Sequence, residues 1–204
     1  MRNFLWFIFL LLSGCADNNH QAASSGPVTN TDTQTGKALS LQETLRDISL
    51  VILTSIKERD YKTIANLIHP EDGIRFSPYG YFDSLDVKLD SAAFLESARS
   101  QQELTWGVYA GSGEPIQFTV NKYFEEFLWD ANFLQPEKFS VDTLYSRSNH
   151  SFKNTYPDAH FTESYFSGFD KKYEGMDWRS LMLVYKKFQG DYYVCAIIHD
   201  EWTP

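Results

Sequence analysis

The chain has 204 residues, of which 43% are hydrophobic and 16% aromatic, enough to bury the core of one domain and little more. The formal net charge is −9, and Lys and Arg form no cluster along the sequence, which argues against binding to a nucleic-acid backbone. Cysteine occurs only at Cys15 and Cys195, so the sequence does not indicate a disulfide framework.

The first residues have the pattern of an export signal. Arg2 supplies a positive start, and the run from Phe4 to Leu12 is unbroken apolar sequence. Nine apolar residues are too few for a membrane-spanning helix, which needs about 20, but they suit the hydrophobic region of a signal peptide. The alternative is a short buried segment that ends in an ordinary cysteine, and it leaves Arg2 and the abrupt change to polar sequence unexplained.

The residues that follow, Leu12-Ser13-Gly14-Cys15, resemble the lipobox of bacterial lipoproteins at all four positions. This resemblance implies cleavage between Gly14 and Cys15 and attachment of lipid to the Cys15 sulfur. A second or third acyl chain makes such an anchor effectively stable. The expected location is the cell envelope: the outer membrane in a Gram-negative cell, since Ala16 rather than Asp follows the cysteine, or the outside of the plasma membrane in a Gram-positive one.

The segment after the signal is polar. Residues 15–38 contain one valine, no aromatic residue and no hydrophobic periodicity, which predicts a flexible linker behind the lipidated cysteine. We therefore divide the chain into a signal peptide at 1–14, the lipidated cysteine with its linker at 15–38, and one domain at 39–204.

Helices open the domain. Ser40 and Glu43 form a capping-box pattern, and apolar residues then recur at helical spacing as far as about Arg59. Asp60 is placed to cap a second helix that Pro70 ends. Two more helices are predicted, one capped by Asp90 and one at about 119–129.

Strands are predicted before and after the helix at 119–129. The alternation in Leu104–Val108 predicts one strand, and further strands are expected at about 139–146, 159–166, 179–189 and 191–200, the last two joined as a hairpin around Gly190. A chain that begins with helices and continues with a run of antiparallel strands has the element order of an α+β domain. We expect a single domain in which N-terminal helices pack on a curved, cone-like antiparallel sheet.

The domain resembles the nuclear transport factor two (NTF2) superfamily, which includes ketosteroid isomerases, scytalone dehydratases and SnoaL-type cyclases. The stretches "RFSPYGYF", "WGVYAGSGEPI" and "YFEEFLWDANFL" look like those of a group of uncharacterised secreted or lipid-anchored bacterial proteins. The helix at 119–129 departs from the usual order of the superfamily. The resemblance implies a pocket between sheet and helices, but this fold hosts enzymes, binding modules and assembly domains alike.

The last hairpin contains the first candidate for chemistry. A two-residue loop at Gly190-Asp191 would place Met182 opposite His199, with His199 facing the pocket and Asp200 paired with Arg179. The alternative is a longer turn from Phe188 to Asp191 with Gly190 in the left-handed region, which would shift this register. Successive strand residues point to opposite faces, so residues 199–201 cannot all converge on one metal ion. The alternative for His199 is a partly buried strand-end histidine with a satisfied hydrogen bond.

The other candidates are Glu163, Tyr81 and several aromatic residues. Glu163 among apolar neighbours would be a base with a raised pKa, and the alternative is an exposed carboxylate on an edge strand. Trp106, Tyr109 and Trp178 are candidate ligand-binding residues, or else part of the core. No metal-binding or cofactor-binding pattern is found, and Cys195 has the setting of a small buried residue.

Three functions remain open from the sequence. The first is a lipid-anchored envelope protein that binds a small apolar or amphipathic ligand, or a partner protein, without catalysis. The second is an isomerase or dehydratase with His199 or Glu163 as base and a tyrosine such as Tyr81. The third is a structural module that forms a homodimer, which predicts a filled interior.

Overall fold

The computed structural model describes residues 39–147 and 151–203. The predicted signal peptide, Cys15 and the linker lie outside the described residues. In the described part of the chain, the helices are too short or too polar to cross a membrane.

The predicted helices are present. Helix α1 begins with the expected capping box, in which Ser40 N donates to Glu43 Oε2 (2.8 Å), and the chain leaves it at Arg59 with φ 60°. Asp60 and Asp90 cap the next two helices, and the fourth continues into a π-helical turn at Phe124–Leu128. The helices are α1 Leu41–Glu58, α2 Tyr61–Leu67, α3 Ser91–Ser100, α4 Val120–Tyr123 and α5 Phe152–Thr155. Helix α5 was not predicted.

Six strands form one sheet in the order β2-β1-β8-β7-β6-β5, and β3 and β4 form a separate hairpin. The strands are β1 Ile74–Ser77, β2 Val87–Leu89, β3 Leu104–Val108, β4 Pro115–Phe118, β5 Lys138–Val141, β6 His160–Phe166, β7 Arg179–Phe188 and β8 Asp191–Glu201. The sheet is mixed rather than antiparallel throughout, because β1 runs parallel to β8. These two strands are far apart in sequence, so no short turn forces them to be antiparallel.

The main core lies between the helices and one face of the sheet. It is rich in aromatic side chains that pack edge-to-face or stacked on one another. Buried aromatic members are Phe76, Phe94, Trp106, Tyr123, Phe124 and Phe127. The α+β class, with N-terminal helices packed on a curved sheet, is therefore confirmed, and the space between these layers is filled by side chains.

The other face of the sheet has a smaller core. Phe152 of α5 and Tyr156 cover it, and they pack with Phe161, Met182 and Cys195. Cys195 is fully buried, as its apolar setting in the sequence indicates. The sheet is thus covered on both faces, but by different parts of the chain.

The register of the last hairpin differs from the predicted one. Phe188 pairs with Asp191, so the two loop residues are Gln189 and Gly190, with φ 50° and 106°, rather than Gly190 and Asp191. These positive φ values are those of the turns that suit tight hairpins. The pairing also shifts by one residue at a bulge near Cys195.

The corrected register changes the neighbour of His199. His199 lies opposite Leu181, and not opposite Met182 as predicted. Its ring packs against Phe127 of the main core, so His199 does face the helices.

Candidate functional site

The His199 side chain is buried at the end of β8 and is only 1% exposed. Its Nδ1 donates to the carbonyl oxygen of Pro78 (3.0 Å), and its Nε2 lies 3.2 Å from Asp130 Oδ2. Both ring nitrogens therefore face acceptors, which favours the doubly protonated ring. Burial by itself lowers the pKa of His199, but the hydrogen bond and charge of Asp130, with smaller effects of Glu201 and Pro78, raise it above its usual value.

Asp130 connects His199 to Arg179. It lies just after the π-helical turn, and Arg179 Nε donates to its Oδ2 at 2.5 Å. Arg179 also pairs with Glu201, which lies opposite it in the hairpin, through Nη2 at 3.0 Å. Burial raises the pKa of Asp130, but the hydrogen bonds and charges of His199 and Arg179 lower it overall. We call these four residues the Asp130 cluster.

The predicted pair between Asp200 and Arg179 is wrong. Arg179 lies opposite Glu201 in the register and binds that residue and Asp130. Asp200 points to the other face of the sheet, where it accepts a hydrogen bond from Gly80 N at 3.2 Å. The neighbouring side chains of Asp200 and Glu201 thus point to opposite faces of the sheet, as the alternation along a strand requires.

The Asp130 cluster has the donor types of a metal site. One ligand atom each from Asp130, His199 and Glu201 lies within 4.8 Å of the others. However, Arg179 binds both carboxylates, so a protein cation already lies where a metal ion would be attracted. We therefore regard the cluster as an ion-pair network.

Glu163 lies on the opposite face of the sheet from His199. It is fully buried and accepts hydrogen bonds from Tyr145 N (2.5 Å), Ser146 N (3.0 Å) and Ser180 Oγ (2.7 Å). The alternative of an exposed carboxylate is therefore wrong. Two backbone N–H groups and one hydroxyl donate to this carboxylate. Glu163 therefore holds the segment after β5 against the sheet.

Tyr81 lies in the loop after β1 and is partly exposed, stacked on Tyr79 with ring centroids 6.3 Å apart. His199, Glu163 and Tyr81 thus lie in three settings: one face of the sheet, the other face, and a surface loop. The structure does not bring these three candidates together around one position.

The candidate ligand-binding aromatics also separate. Trp106 is fully buried, stacks on Tyr123 at 4.0 Å and donates from Nε1 to Phe118 O at 2.8 Å. Tyr109 is 38% exposed at the turn between β3 and β4. Trp178 lines a cleft just before β7 begins and is largely buried there.

Two adjoining clefts lie beside the ends of β7 and β8, with volumes of about 320 and about 390 Å³. They share Met176, Glu201 and Trp202, and we call them together the C-terminal groove. The first cleft is also lined by Tyr173, Asp177 and Arg179, and the second by Arg147, Glu174 and Trp178.

The groove exposes large apolar side chains next to the Asp130 cluster. Met176 and Trp202 are each 49% exposed and Tyr173 is 45% exposed. Arg179 and Glu201 belong to both the groove and the cluster. The ion pairs therefore hold one wall of the groove in place.

The loop between β6 and β7 forms another wall and is internally fixed. Asp177 Oδ2 accepts hydrogen bonds from Phe169 N (3.0 Å) and Asp170 N (2.7 Å). Gly168 has φ 148°, and a Cβ there would lie 2.8 Å from Asp177 Oδ1, so a larger residue would displace this carboxylate. The loop thus presents Tyr173 and Met176 from a defined backbone.

Sequence reasoning missed Asp130, and it left Trp202 among the aromatic residues that could line a pocket or else belong to the core. Asp130 carries no local pattern, and its contacts are 49 and 69 residues away in the chain. Trp202 was visible as an aromatic residue after the last strand, but only the structure shows that it lies beside Met176 and Glu201.

No protein-family model matches the chain, and a search of curated proteins found no significant match. Among solved structures, an NTF2-like protein from Cytophaga hutchinsonii is 12% identical with a TM-score of 0.40, over 80% of this chain and 99% of that one. A DUF4783 family protein from Bacteroides ovatus is 11% identical with a TM-score of 0.34, over 76% and 94%.

Proposed function

We propose that this protein is a lipid-anchored binding protein of the cell envelope that holds its ligand in the C-terminal groove without catalysis. The observation that carries the proposal is the exposure of Tyr173, Met176 and Trp202 around one pair of clefts. Large exposed apolar side chains that converge in this way are typical of binding surfaces.

The contacts of the catalytic candidates support a role without chemistry. His199 uses both ring nitrogens within the protein, so it presents no lone pair to a substrate. Glu163 is buried beneath three donors on the other face of the sheet. A general base must reach the proton it removes, and neither group is placed to do so.

Because side chains fill the interior, we expect the binding site at the surface of the domain. Trp106 and Tyr123 occupy the space between the helices and the sheet, where the resemblance to the NTF2 superfamily implies a pocket.

The filled interior also favours a second candidate function, a homodimerisation module. Native mass spectrometry of the full chain separates the two, since a dimer without adduct supports the second candidate.

The anchor is proposed from the lipobox at Leu12-Ser13-Gly14-Cys15. Cells that express the wild-type chain should incorporate labelled palmitate into the protein, and cells that express Cys15→Ser should not. Incorporation into the variant would contradict lipidation at Cys15.

The groove is tested by native mass spectrometry of the full-length protein, purified from cells and released from lipid nanodiscs. Wild type and Tyr109→Ala should carry the same adduct, because Tyr109 is an exposed aromatic residue outside the groove. Trp202→Ala should lose the adduct while keeping the wild-type unfolding midpoint. An adduct of equal occupancy on all three proteins would contradict binding in the groove.

A further inference from the structure

We propose that the C-terminal groove binds a neutral carbohydrate chain. This inference rests on the proposed function and names its ligand class. It is argued from the arrangement of aromatic, polar and charged side chains in the two clefts.

The aromatic part of the groove suits sugar rings. Trp178 and Trp202 each lie one residue beyond the last paired positions of the hairpin, Arg179 and Glu201, so they stand across from one another. Both line the same cleft of about 390 Å³. A pyranose ring has an apolar face of C–H groups and a polar edge, which matches a flat aromatic surface with wet surroundings.

Trp178 packs on further aromatic rings that support the cleft from behind, since Trp178 is 9% and Tyr165 7% exposed. Its ring centroid lies 6.2 Å from that of Tyr165, which in turn lies 6.0 Å from that of Tyr145, and both pairs are tilted by 32°. Tyr145 is partly exposed at the end of this row, and Glu163 fixes its backbone. The exposed Trp202 lines both adjoining clefts, of about 320 and about 390 Å³, which together offer more space than one sugar ring fills, so we infer a chain of sugars as the ligand.

The polar part of the groove suits hydroxyl groups. Arg147 and Glu174 line the cleft that contains both tryptophans and are exposed, and neither forms an ion pair within the described residues. Glu201 Oε2 lies 3.0 Å from Arg179 Nη2. Guanidinium and carboxylate groups are planar and form paired hydrogen bonds, the geometry that two adjacent hydroxyls of a sugar offer.

The charges of the lining favour a neutral ligand. Arg147 and Arg179 are mixed with Glu174, Asp177 and Glu201, and Arg179 is further offset by Asp130. An anionic polymer would meet an excess of carboxylates here, in a chain with net charge −9. Arg179 is paired with Asp130 and Glu201, and Asp177 binds two backbone amides of its own loop. Arg147 and Glu174 therefore remain as one group of each charge, which gives no preference for a cation. A neutral polyhydroxyl chain meets donors and acceptors without a charge penalty.

The test uses the full-length protein in phospholipid nanodiscs and four neutral tetrasaccharides: cellotetraose, chitotetraose, maltotetraose and xylotetraose. Isothermal titration calorimetry should give saturable binding of at least one of them. Trp202→Ala should weaken that binding roughly tenfold or more and Trp202→Phe by less, since a phenyl ring keeps part of the stacking. Tyr109→Ala should bind as wild type does.

Two results would overturn the inference: no saturable binding of any tetrasaccharide, or binding that Trp202→Ala leaves unchanged. Choline serves as a cationic probe, because quaternary ammonium groups bind aromatic faces. If choline binds in a Trp202-dependent way and the sugars do not, the carbohydrate class is wrong while the groove remains the binding site. If the adduct in native mass spectrometry is also independent of Trp202, the proposed function fails as well.

Discussion

Arg179 and Asp130 form an ion pair in which Nε lies 2.5 Å from Oδ2. The same carboxylate oxygen lies 3.2 Å from His199 Nε2, so one oxygen joins a guanidinium to a buried imidazole. Asp130 thereby connects the π-helical turn to the last two strands beside the C-terminal groove. The Asp130 side chain is 19% exposed, which makes its interactions stronger than those of a surface pair.

Replacement Asp130→Asn should destabilise the protein by about 2–3 kcal/mol at pH 6, because it leaves His199 and Arg179 without their shared counter-charge. Urea unfolding measures the change. The control is Asp142→Asn, which removes the carboxylate 2.7 Å from the half-exposed His160 and should cost about 0.5 kcal/mol. Equal losses in the two variants would contradict the special role of Asp130.

The pH dependence of stability should also change in Asp130→Asn. The pKa of His199 is raised in the folded protein, so its contribution is fully present below the unfolded value of about 6.5 and is lost as pH rises through the folded value. Wild type should therefore lose stability relative to the variant as pH rises from 6 to 9. An NMR titration midpoint of His199 below 6.5 in wild type would show that burial outweighs Asp130.

The sequence was sufficient for interactions between near neighbours. The capping box of Ser40 with Glu43 and the caps at Asp60 and Asp90 depend on residues three positions apart, and all of them form. The pairing of β1 with β8 and the contact of Asp130 with His199 depend on residues more than 60 positions apart. No local pattern encodes such contacts.

The hairpin shows how a small local error spreads. The two-residue turn was placed one residue late, at Gly190-Asp191, whereas the alternative turn from Phe188 to Asp191 is the one that forms, and the bulge near Cys195 was not predicted. Since each shift moves every pair along the strand, His199 received the wrong neighbour and Asp200 the wrong partner. The candidate site could therefore not be assembled from sequence, although His199 itself was singled out.

A buried carboxyl outside the groove gives a third prediction. The Asp86 side chain is 1% exposed, and burial raises its pKa to about 6, although Asp83 N donates to it and Arg75 Nη1 lies 4.0 Å away. A raised carboxyl pKa means that stability falls as pH rises from the unfolded value of about 3.9 to the folded one. Between pH 4 and 7.5, wild type should lose about 2–3 kcal/mol relative to Asp86→Asn.

Urea unfolding of both proteins at pH 4 and 7.5 measures this difference. The comparison is made between the two pH values, so the hydrogen bonds that asparagine makes or loses cancel. A constant gap between wild type and Asp86→Asn would mean that Asp86 titrates alike in the folded and unfolded chains.

Truncation of two tryptophans should destabilise the protein by very different amounts. Trp106→Ala should destabilise the protein by about 3–5 kcal/mol, because it removes a fully buried ring that stacks on Tyr123. Trp202→Ala should cost less than about 1 kcal/mol, because half of that side chain is in solvent. Thermal and urea unfolding of the two variants give the comparison, and a large loss in Trp202→Ala would make Trp202 a structural residue rather than a binding one.

The two cysteines give a combined test of fold and anchor. Burial raises the pKa of the Cys195 thiol to about 12, and its Sγ lies 3.5 Å from Val184 O inside the smaller core. The folded protein should therefore not react with a thiol reagent at pH 8, because the thiolate is the reactive form.

Unfolding in urea tests the anchor. The protein purified from membranes should expose one reactive thiol per chain, since lipid attached to Cys15 leaves only Cys195 to react. Cys195→Ala provides the control and should show no reactive thiol in urea. Two thiols per unfolded wild-type chain would contradict lipidation, and rapid reaction of the folded chain that Cys195→Ala abolishes would contradict the burial of Cys195.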